Sequence, residues 1–222
     1  MPPVVFGTGG ALRIDSHDVL IVTDVQNDFC PGGALAVTDG DAIIEPIHRI
    51  APRFEHIVLI QDWHPPDHTS FATAHPGKKP FDQIELSYGM QTLWPPHCIQ
   101  GSNGAEFHPA LHLPQAELIL RKGFDPNIDS YSAFFENDRI TPTGLAGYLD
   151  ERDLARVFLV GLAYDFCVGY SALDARRLGL PAFILRDACR SIDLNGSAAK
   201  IETEFSKAGV AVIECAELLG RG

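Results

Sequence analysis

Six short runs of apolar, largely β-branched residues recur along the chain, and stretches with helical spacing separate them. The runs are nearly continuously apolar rather than alternating, which is typical of parallel strands that are covered on both faces. We predict strands at residues 19–23, 57–61, 118–121, 157–160, 182–185 and 210–213, and helices at about 42–51, 143–151, 166–178 and 196–208. Because strands alternate with helices, the pattern favours a three-layer α/β fold, with a mostly parallel sheet of about six strands and helices on both faces.

One region, residues 62–113, breaks this alternation with a high content of proline, glycine and histidine. An irregular insertion of this length in a compact domain is either disordered or functional, and its aromatic and imidazole side chains favour a functional role. Elsewhere the sequence has no internal repeat, low-complexity tract or linker. We therefore predict a single domain over residues 1–222 that carries an irregular functional insertion.

The composition narrows the classes of partner. Seventeen Lys and Arg residues against 29 Asp and Glu residues give a formal charge of −12, which argues against nucleic acid or an anionic membrane surface as the main partner. The longest aliphatic runs have four residues, whereas a membrane helix needs roughly 20. Five cysteines without a C-x-x-C pair do not indicate a disulfide framework, and the N-terminal segment lacks the basic residues of a secretory signal. We therefore expect a cytoplasmic protein in a reducing environment.

Reactive residues follow four of the predicted strands. In an open parallel sheet, ligands bind outside the carboxyl ends of the strands. Asp24 follows the first strand, and Asp62 and His64 follow the second. Lys122 follows the third, and Cys167 opens the helix after the fourth. Since the rule makes no use of residue identity, the convergence of such side chains on one edge indicates a site there.

Each of these residues also has a purely structural explanation. A cysteine in an α/β protein is usually a small core residue, and an aspartate at a strand end often caps a turn. Cys167 differs because Asp165 is placed to cap the helix and would set the thiol in its first turn, where the helix N-terminus and a nearby ammonium favour a thiolate. With Asp24 as proton acceptor and Lys122 as charge partner, a cysteine nucleophile makes a covalent catalyst.

Asp62 and His64 have the spacing of a metal site. In extended backbone, residues i and i+2 face the same side, so the carboxylate and the imidazole can bind one cation. A third ligand must come from elsewhere, and spacing alone leaves His68, His75 and His97 of the insertion open as candidates.

Three aromatic residues, Phe29, Trp94 and Tyr131, lie in the same loops as the candidate reactive groups. Core packing accounts for most aromatic side chains, but three beside a polar cluster suit a flat, uncharged ring as substrate. The expected partner is therefore a small molecule.

Several motifs carry a resemblance that covers nearly the whole chain. They are TDVQNDFCPGGAL, QDWHPPDHTSFA, LWPPHCIQGSNGAEFHP, RKGFDPNIDSYSAF and GLAYDFCVGYSALDARRLG. With these strings the sequence resembles the nicotinamidases, which also act on pyrazinamide, among the isochorismatase-like hydrolases. D-x-Q-N-D-F is shared broadly across that superfamily, whereas D-W-H-P and W-P-x-H-C are much more specific to nicotinamidases.

By position, the resemblance implies an isochorismatase-like fold with a catalytic triad of Asp24, Lys122 and Cys167. It also implies an oxyanion hole formed by the backbone N–H groups of Ala163 and Cys167, with a cis peptide bond between Leu162 and Ala163. The implied reaction is the hydrolysis of nicotinamide to nicotinate and ammonia through a cysteine thioester, in NAD salvage, with pyrazinamide as a further substrate.

The resemblance further implies one divalent metal ion held by Asp62, His64 and His97, with waters in the remaining positions. Zinc is the first expectation, and iron and manganese are the alternatives. His68 is implied as a neighbour of the metal and as an outer or variable ligand. The three aromatic residues named above would line the pocket for the ring.

The chain departs from the family at Tyr164 and Phe166, where many relatives carry Thr and Tyr or His. Neither residue has a role in the triad, so the departure bears on the shape of the pocket and not on the reaction class. Three other interpretations stay open: another cysteine amidohydrolase of the superfamily with a different amide substrate, a metallohydrolase in which Cys167 is structural, and a small-molecule binding protein with a degenerate site. The oligomeric state is open as well, with a homo-oligomer as one alternative.

Overall fold

The computed structural model describes residues 12–219, so the N-terminal segment and the last three residues lie outside the described part. The strands are β1 (Asp18–Thr23), β2 (His56–Asp62), β3 (Gln83–Leu86), β4 (Gly89–Thr92), β5 (Leu118–Lys122), β6 (Arg156–Leu162), β7 (Ala182–Arg190) and β8 (Ala211–Ile213). The α-helices are α1 (Ile44–Ile50), α2 (Leu145–Glu151), α3 (Gly169–Arg177), α4 (Ser197–Ala208) and α5 (Cys215–Leu219), and a π-helix (Tyr164–Val168) precedes α3. Within residues 12–219, no helix has the length and apolar character needed to cross a membrane.

Six of the strands form one parallel sheet in the order β5-β2-β1-β6-β7-β8. Leu20 and Val22 of β1 belong to the apolar core that α1 and α5 cover, whereas Val19 and Ile21 belong to the opposite core beneath α2, α3 and α4. The inner strands β1, β2 and β6 are therefore covered on both faces, which is the reason for their continuous apolar runs, whereas the edge strands β5 and β8 expose Ile119 and Val212. The predicted three-layer α/β architecture is confirmed.

All six predicted strands and all four predicted helices are present, with ends that differ by a few residues. The first helix is shorter than expected because 3-10 turns at Gly40–Ile43 and Ala51–Arg53 flank α1. The helix α5 was not predicted, since its five residues are too few to show a helical period.

The insertion at residues 62–113 is less irregular than expected. Within it, β3 and β4 pair as an antiparallel hairpin that forms a separate two-stranded sheet. Each strand has only four residues and is largely exposed, so the hairpin leaves little hydrophobic pattern in the sequence. The single-domain assignment over residues 1–222 stays a prediction.

The strand order places four carboxyl ends side by side along one edge of the sheet. Lys122 is the last residue of β5, and its register partner on β2 is Asp62. Asp24 follows β1 directly, and the chain turns there with a φ of 50°. The next strand, β6, leads into the π-helix that carries Cys167. Residues that are distant in the chain are thus brought to one edge.

Candidate active site

Lys122 lies at the centre of the site and is completely buried. Its Nζ is 3.0 Å from Asp24 Oδ2 and 2.9 Å from Asp62 Oδ1. It also donates a hydrogen bond to the Ser130 carbonyl at 2.9 Å, and Cys167 Sγ lies 3.5 Å away. The structure therefore brings the three predicted triad residues together around one ammonium group. Ser130 is an additional neighbour to which the sequence analysis assigned no role.

Two carboxylates keep this buried ammonium charged. Burial alone would lower the pKa of Lys122, but the charges of Asp24 and Asp62 outweigh it and hold the pKa well above its ordinary value. Burial would raise the pKa of Asp62, yet the charges of His64 and Lys122 hold it well below its usual range. A buried ion pair is stable only when its charges stay close and well oriented, so this arrangement constrains the geometry of the site.

The pKa values of Asp24 and Cys167 decide which of the two groups holds the proton that a thiol nucleophile must lose. Burial raises the pKa of Asp24 to about 6, against the lowering effect of Lys122. Burial also raises the pKa of the Cys167 thiol well above its ordinary value, and the two nearby carboxylates raise it further against the effect of Lys122. Near neutral pH, the free protein therefore holds an ionised Asp24 beside a protonated thiol. The sequence analysis expected the surroundings of Cys167 to lower the pKa of its thiol, whereas burial outweighs the lowering effect of Lys122 and the pKa is raised.

Asp165 does not cap the helix that carries Cys167, contrary to the prediction. The residue before the π-helix is Ala163, and no side chain caps this helix end. The carboxylate of Asp165 instead accepts hydrogen bonds from the loop before α4, at the N–H groups of Ile192 and Asp193. The prediction failed because capping rules describe the first turn of an α-helix, whereas this turn is a π turn.

The cis peptide bond predicted between Leu162 and Ala163 is confirmed. It lies directly before the π-helix, and Ala163 and Cys167 both line the cavity beside the triad. Their backbone N–H groups are the oxyanion-hole donors that the resemblance implies, and that role stays a prediction.

Asp62, His64 and His97 form a compact, buried group whose ligand atoms lie within 4.8 Å of one another. Asp62 Oδ2 is 3.0 Å from His64 Nε2 and 3.4 Å from His97 Nε2. The opposite ring nitrogens contact backbone carbonyls at 2.8 Å, His64 Nδ1 that of Gly123 and His97 Nδ1 that of Pro95. Such outer hydrogen bonds fix the tautomer that leaves Nε2 free for a metal. One carboxylate and two imidazoles suit a transition metal ion, so the residues present fit the metal that the resemblance implies.

The other two candidate histidines lie outside this group. His68 is buried beside His64, with ring centroids 4.3 Å apart, and its Nε2 contacts the Ile128 carbonyl at 3.2 Å. With His64 and Asp129 it forms a second group able to hold a metal ion. His75 contacts a backbone carbonyl elsewhere in the insertion through its Nε2. Among the three histidines that spacing left open, the structure thus brings His97 to Asp62 Oδ2, the oxygen that also faces His64.

A narrow cavity connects the thiol with the metal-ligand group. Its wall includes Cys167 together with Asp62 and His97. The three predicted aromatic residues, Phe29, Trp94 and Tyr131, all line it, and so does Phe166. Four further lining residues were not assigned to the site by the sequence analysis: Leu35, Asp129, Ser130 and Ile192. The mainly apolar and aromatic wall suits a flat ring.

The two residues that depart from the family pattern point in different directions. Phe166 lines the cavity, with its ring edge-on to Trp94 at 5.0 Å and to Tyr131 at 5.6 Å between centroids. Tyr164 is buried away from the cavity, where its ring packs against Phe205 of α4. Only the departure at Phe166 therefore changes the pocket wall. Residues two apart in a helical turn point to different sides of it, so the sequence could have indicated that only one of the two residues faces the pocket.

Comparison with known proteins identifies the family. Residues 18–217 match the family model for the Isochorismatase domain. The chain therefore belongs to the isochorismatase family, and the family resemblance inferred from the motifs is confirmed.

Individual relatives are more specific. The chain is 55% identical over 200 residues to the nicotinamidase of Acinetobacter baylyi, which covers 90% of this chain and 94% of the relative. The solved structure of an Acinetobacter baumanii nicotinamidase pyrazinamidease has a TM-score of 0.91 at 53% identity and covers 92% of this chain and 99% of that one. A Pyrococcus horikoshii pyrazinamidase, solved in complex with zinc, has a TM-score of 0.72 at 32% identity, with 89% and 99% covered.

Proposed function

We propose that the protein is a nicotinamidase, which hydrolyses nicotinamide to nicotinate and ammonia through a thioester on Cys167 and also accepts pyrazinamide. The observation that carries this proposal is a single aromatic cavity whose wall holds a thiol together with two members of a metal-ligand group. A pyridine carboxamide matches these features, since it combines a flat ring, a nitrogen for the metal side and a carbonyl carbon for the thiol. The names of the two Acinetobacter relatives support the same substrates.

The first half of the reaction acylates the enzyme. Asp24 accepts the proton of the Cys167 thiol, and the Lys122 ammonium, 3.5 Å from the sulfur, stabilises the thiolate as it forms. The sulfur attacks the carboxamide carbon, and the backbone N–H groups of Ala163 and Cys167 donate to the resulting oxyanion. Asp24 then gives its proton to the departing nitrogen, the C–N bond breaks, and ammonia leaves a thioester behind.

The second half releases the acid. A water molecule attacks the thioester carbon while Asp24 accepts one of its protons. The same N–H donors stabilise the second oxyanion, and its collapse breaks the C–S bond. Nicotinic acid leaves and releases its proton to the solvent as nicotinate, and the proton on Asp24 returns to Cys167. The same carboxylate thus serves both halves of the reaction, which requires a pKa near the working pH, as its value of about 6 provides.

We propose zinc as the metal ion, bound by Asp62, His64 and His97, with iron and manganese as alternatives that use the same ligand types. When bound, the ion would attract the lone pair of the pyridine nitrogen and so would help to fix the ring. The zinc complex of the Pyrococcus horikoshii pyrazinamidase supports this choice. The side chains of Phe29 and Trp94 line the cavity and hold the ring between them and the metal site.

We propose that the reaction belongs to NAD salvage, because its product is nicotinate, and that it takes place in the cytoplasm. These two assignments and a homo-oligomeric state stay predictions.

Ammonia release from nicotinamide by the purified protein, measured with and without prior treatment with iodoacetamide, tests the proposed function. We expect release by the untreated protein, loss of activity on alkylation, and protection by a competitive ring ligand. Activity that survives complete alkylation of Cys167 would favour the metallohydrolase interpretation. Turnover of a carbamoyl substrate in place of nicotinamide would favour another amidohydrolase of the superfamily.

The rate should fall in acid as Asp24 becomes protonated. Because the pKa of Asp24 is about 6 and only the ionised carboxylate accepts the thiol proton, kcat/KM for nicotinamide should decline about tenfold per pH unit below that value. Asp24→Asn cannot accept the proton at any pH and should lose at least about a thousandfold in kcat. A pH–rate profile of both proteins checks this. An Asn variant with more than a tenth of the wild-type rate would contradict the role.

Lys122→Met should move the acid limb of this profile to higher pH. The ammonium lowers the pKa values of both Asp24 and Cys167, so its removal raises both. At a given pH, a smaller fraction of Asp24 is then ionised and able to accept the thiol proton. Methionine keeps most of the buried volume, which limits the loss of packing. An acid limb that stays at the wild-type position in a folded variant would count against the role of Lys122.

A further inference from the structure

Gln26 lies three residues beyond β1 and is completely buried. Its Oε1 accepts a hydrogen bond from the Asp62 N–H at 2.8 Å, and its Nε2 donates to the Asp62 carbonyl at 2.8 Å. The second hydrogen of Nε2 goes to the Ala105 carbonyl at 2.9 Å. Both ends of the side-chain amide are therefore committed to the protein backbone, and two of the three bonds are to one residue.

These bonds take over where the β1–β2 ladder ends. The Asp24 N–H still donates to the Ile60 carbonyl at 3.1 Å, and the chain then turns away with a φ of 50° at Asp24. In a parallel pair, alternate residues of a strand bond to the same neighbour, so the next residue of β2 that faces β1 is Asp62. The side chain of Gln26 replaces the missing strand there, while its backbone N–H donates to the Asp24 carbonyl at 2.8 Å.

The residue held in this way is the hub of the metal-ligand group. Asp62 Oδ1 faces Lys122 Nζ at 2.9 Å, and Oδ2 faces His64 and His97. The direction of the Asp62 side chain is set by its backbone, so a rotation of the peptide units on either side of it would displace both oxygens together. The amide of Gln26 bonds to both of those peptide units.

We propose that Gln26 is a positioning residue for the metal site, whose side-chain amide holds the backbone of Asp62 so that the carboxylate is presented to the ion together with His64 and His97. The inference rests on the proposed metal site and deepens it. Outer hydrogen bonds of this kind typically contribute about 10- to 100-fold to metal affinity.

The chain offers a matched control one residue before Asp62. Gln61 is also a buried glutamine, and its Nε2 donates to the same Ala105 carbonyl at 2.8 Å. Its Oε1 accepts from Arg121 at 3.0 Å instead of from the Asp62 backbone. Gln26→Met and Gln61→Met therefore each remove a buried amide that bonds to Ala105, but only the first removes the two bonds to Asp62.

The test is the zinc affinity of the wild-type protein and both variants, each stripped with a chelator and titrated with zinc against a chromophoric competitor. We expect Gln26→Met to bind zinc about 10- to 100-fold more weakly, and Gln61→Met to stay within about threefold of the wild type. Wild-type affinity in Gln26→Met, or equal weakening in both variants, would overturn the inference while leaving the proposed metal site in place. A wild-type protein that binds no zinc would overturn the site and the inference together.

Thermal unfolding of the metal-free proteins separates positioning from folding. Gln26→Met leaves buried backbone groups without partners and should unfold at a lower temperature than the wild type. If it does not fold, Gln26→Asn replaces it, with Gln61→Asn as control, because asparagine keeps the amide but is one methylene too short to reach the Asp62 backbone. The same weakening of zinc binding is expected, and wild-type affinity in a folded Gln26→Asn would overturn the inference.

Discussion

Replacement of Cys167 by alanine should lower kcat for nicotinamide by at least about a thousandfold in a protein that stays folded. The thiol is small and contributes little packing, whereas the covalent route has no substitute nucleophile at this place. Its sulfur lies 3.5 Å from the Lys122 ammonium and interacts with the Asp24 carboxylate, so the nucleophile stands beside both its base and its charge partner. Initial rates of ammonia release, with melting temperature as the test of folding, check this expectation.

Cys215→Ala provides the control for the loss of a thiol. Cys215 is a completely buried free cysteine in α5, in the core on one face of the sheet, and its removal should leave the rate near that of the wild type. If Cys167→Ala retains even a tenth of the wild-type rate, the covalent mechanism is wrong. The metallohydrolase interpretation predicts such residual activity, so the experiment separates the two.

Loss of the metal should impair nicotinamide much more than benzamide. Chelation, or His97→Ala, should lower kcat/KM for nicotinamide by at least about a hundredfold, which is about 2.7 kcal/mol at 1.36 kcal/mol per tenfold. The reason is orientation, since a near-attack pose depends on placement to within about an angstrom. Benzamide lacks the ring nitrogen, so it should be a poor substrate whose slow hydrolysis is almost indifferent to the metal. Rates for both substrates before and after chelation provide the measurement.

His75→Ala is the matched control for His97→Ala. Both histidines belong to the insertion and contact a backbone carbonyl through one ring nitrogen, but only His97 faces Asp62. His75→Ala should therefore leave nicotinamide turnover and zinc binding near their wild-type values. If chelation slows benzamide and nicotinamide by the same factor in a protein that remains folded, then the metal serves chemistry or structure, and the anchoring role is wrong.

The architecture was predictable because each part of it leaves a local pattern. A strand covered on both faces requires a continuous apolar run, and the six runs in the sequence correspond to the six strands of the central sheet. Elements that leave no such pattern were missed. The hairpin of β3 and β4 is short and exposed, and α5 has only five residues. Their formation depends on what surrounds them and not on their own periodicity.

The gathering of the reactive residues was predictable for a geometric reason. Carboxyl ends of parallel strands share one edge, so Asp24, Asp62 and Lys122 were expected to meet before any distance was known. Spacing alone did not select the third metal ligand among three histidines of the insertion. That choice needed either the family resemblance or the fold, because His97 lies 35 residues after Asp62 and the segment between them includes a hairpin whose geometry the sequence does not reveal.

The sequence by itself determined the chemical inventory of this protein, that is the nucleophile, the base, the cation and the apolar runs that arrange them. Only the tertiary structure decided their electrostatic state. The helix end and the lysine were expected to lower the pKa of the Cys167 thiol, yet burial and two carboxylates raise it well above its ordinary value, beside an Asp24 whose pKa is about 6. The tertiary structure also decided two other features. One is the pair of hydrogen bonds from Gln26 to Asp62, and the other is that Phe166 faces the pocket whereas Tyr164 does not. Desolvation and pairwise charge depend on distances between residues that are remote in the chain, and such distances exist only once the sheet and its loops have closed around the site.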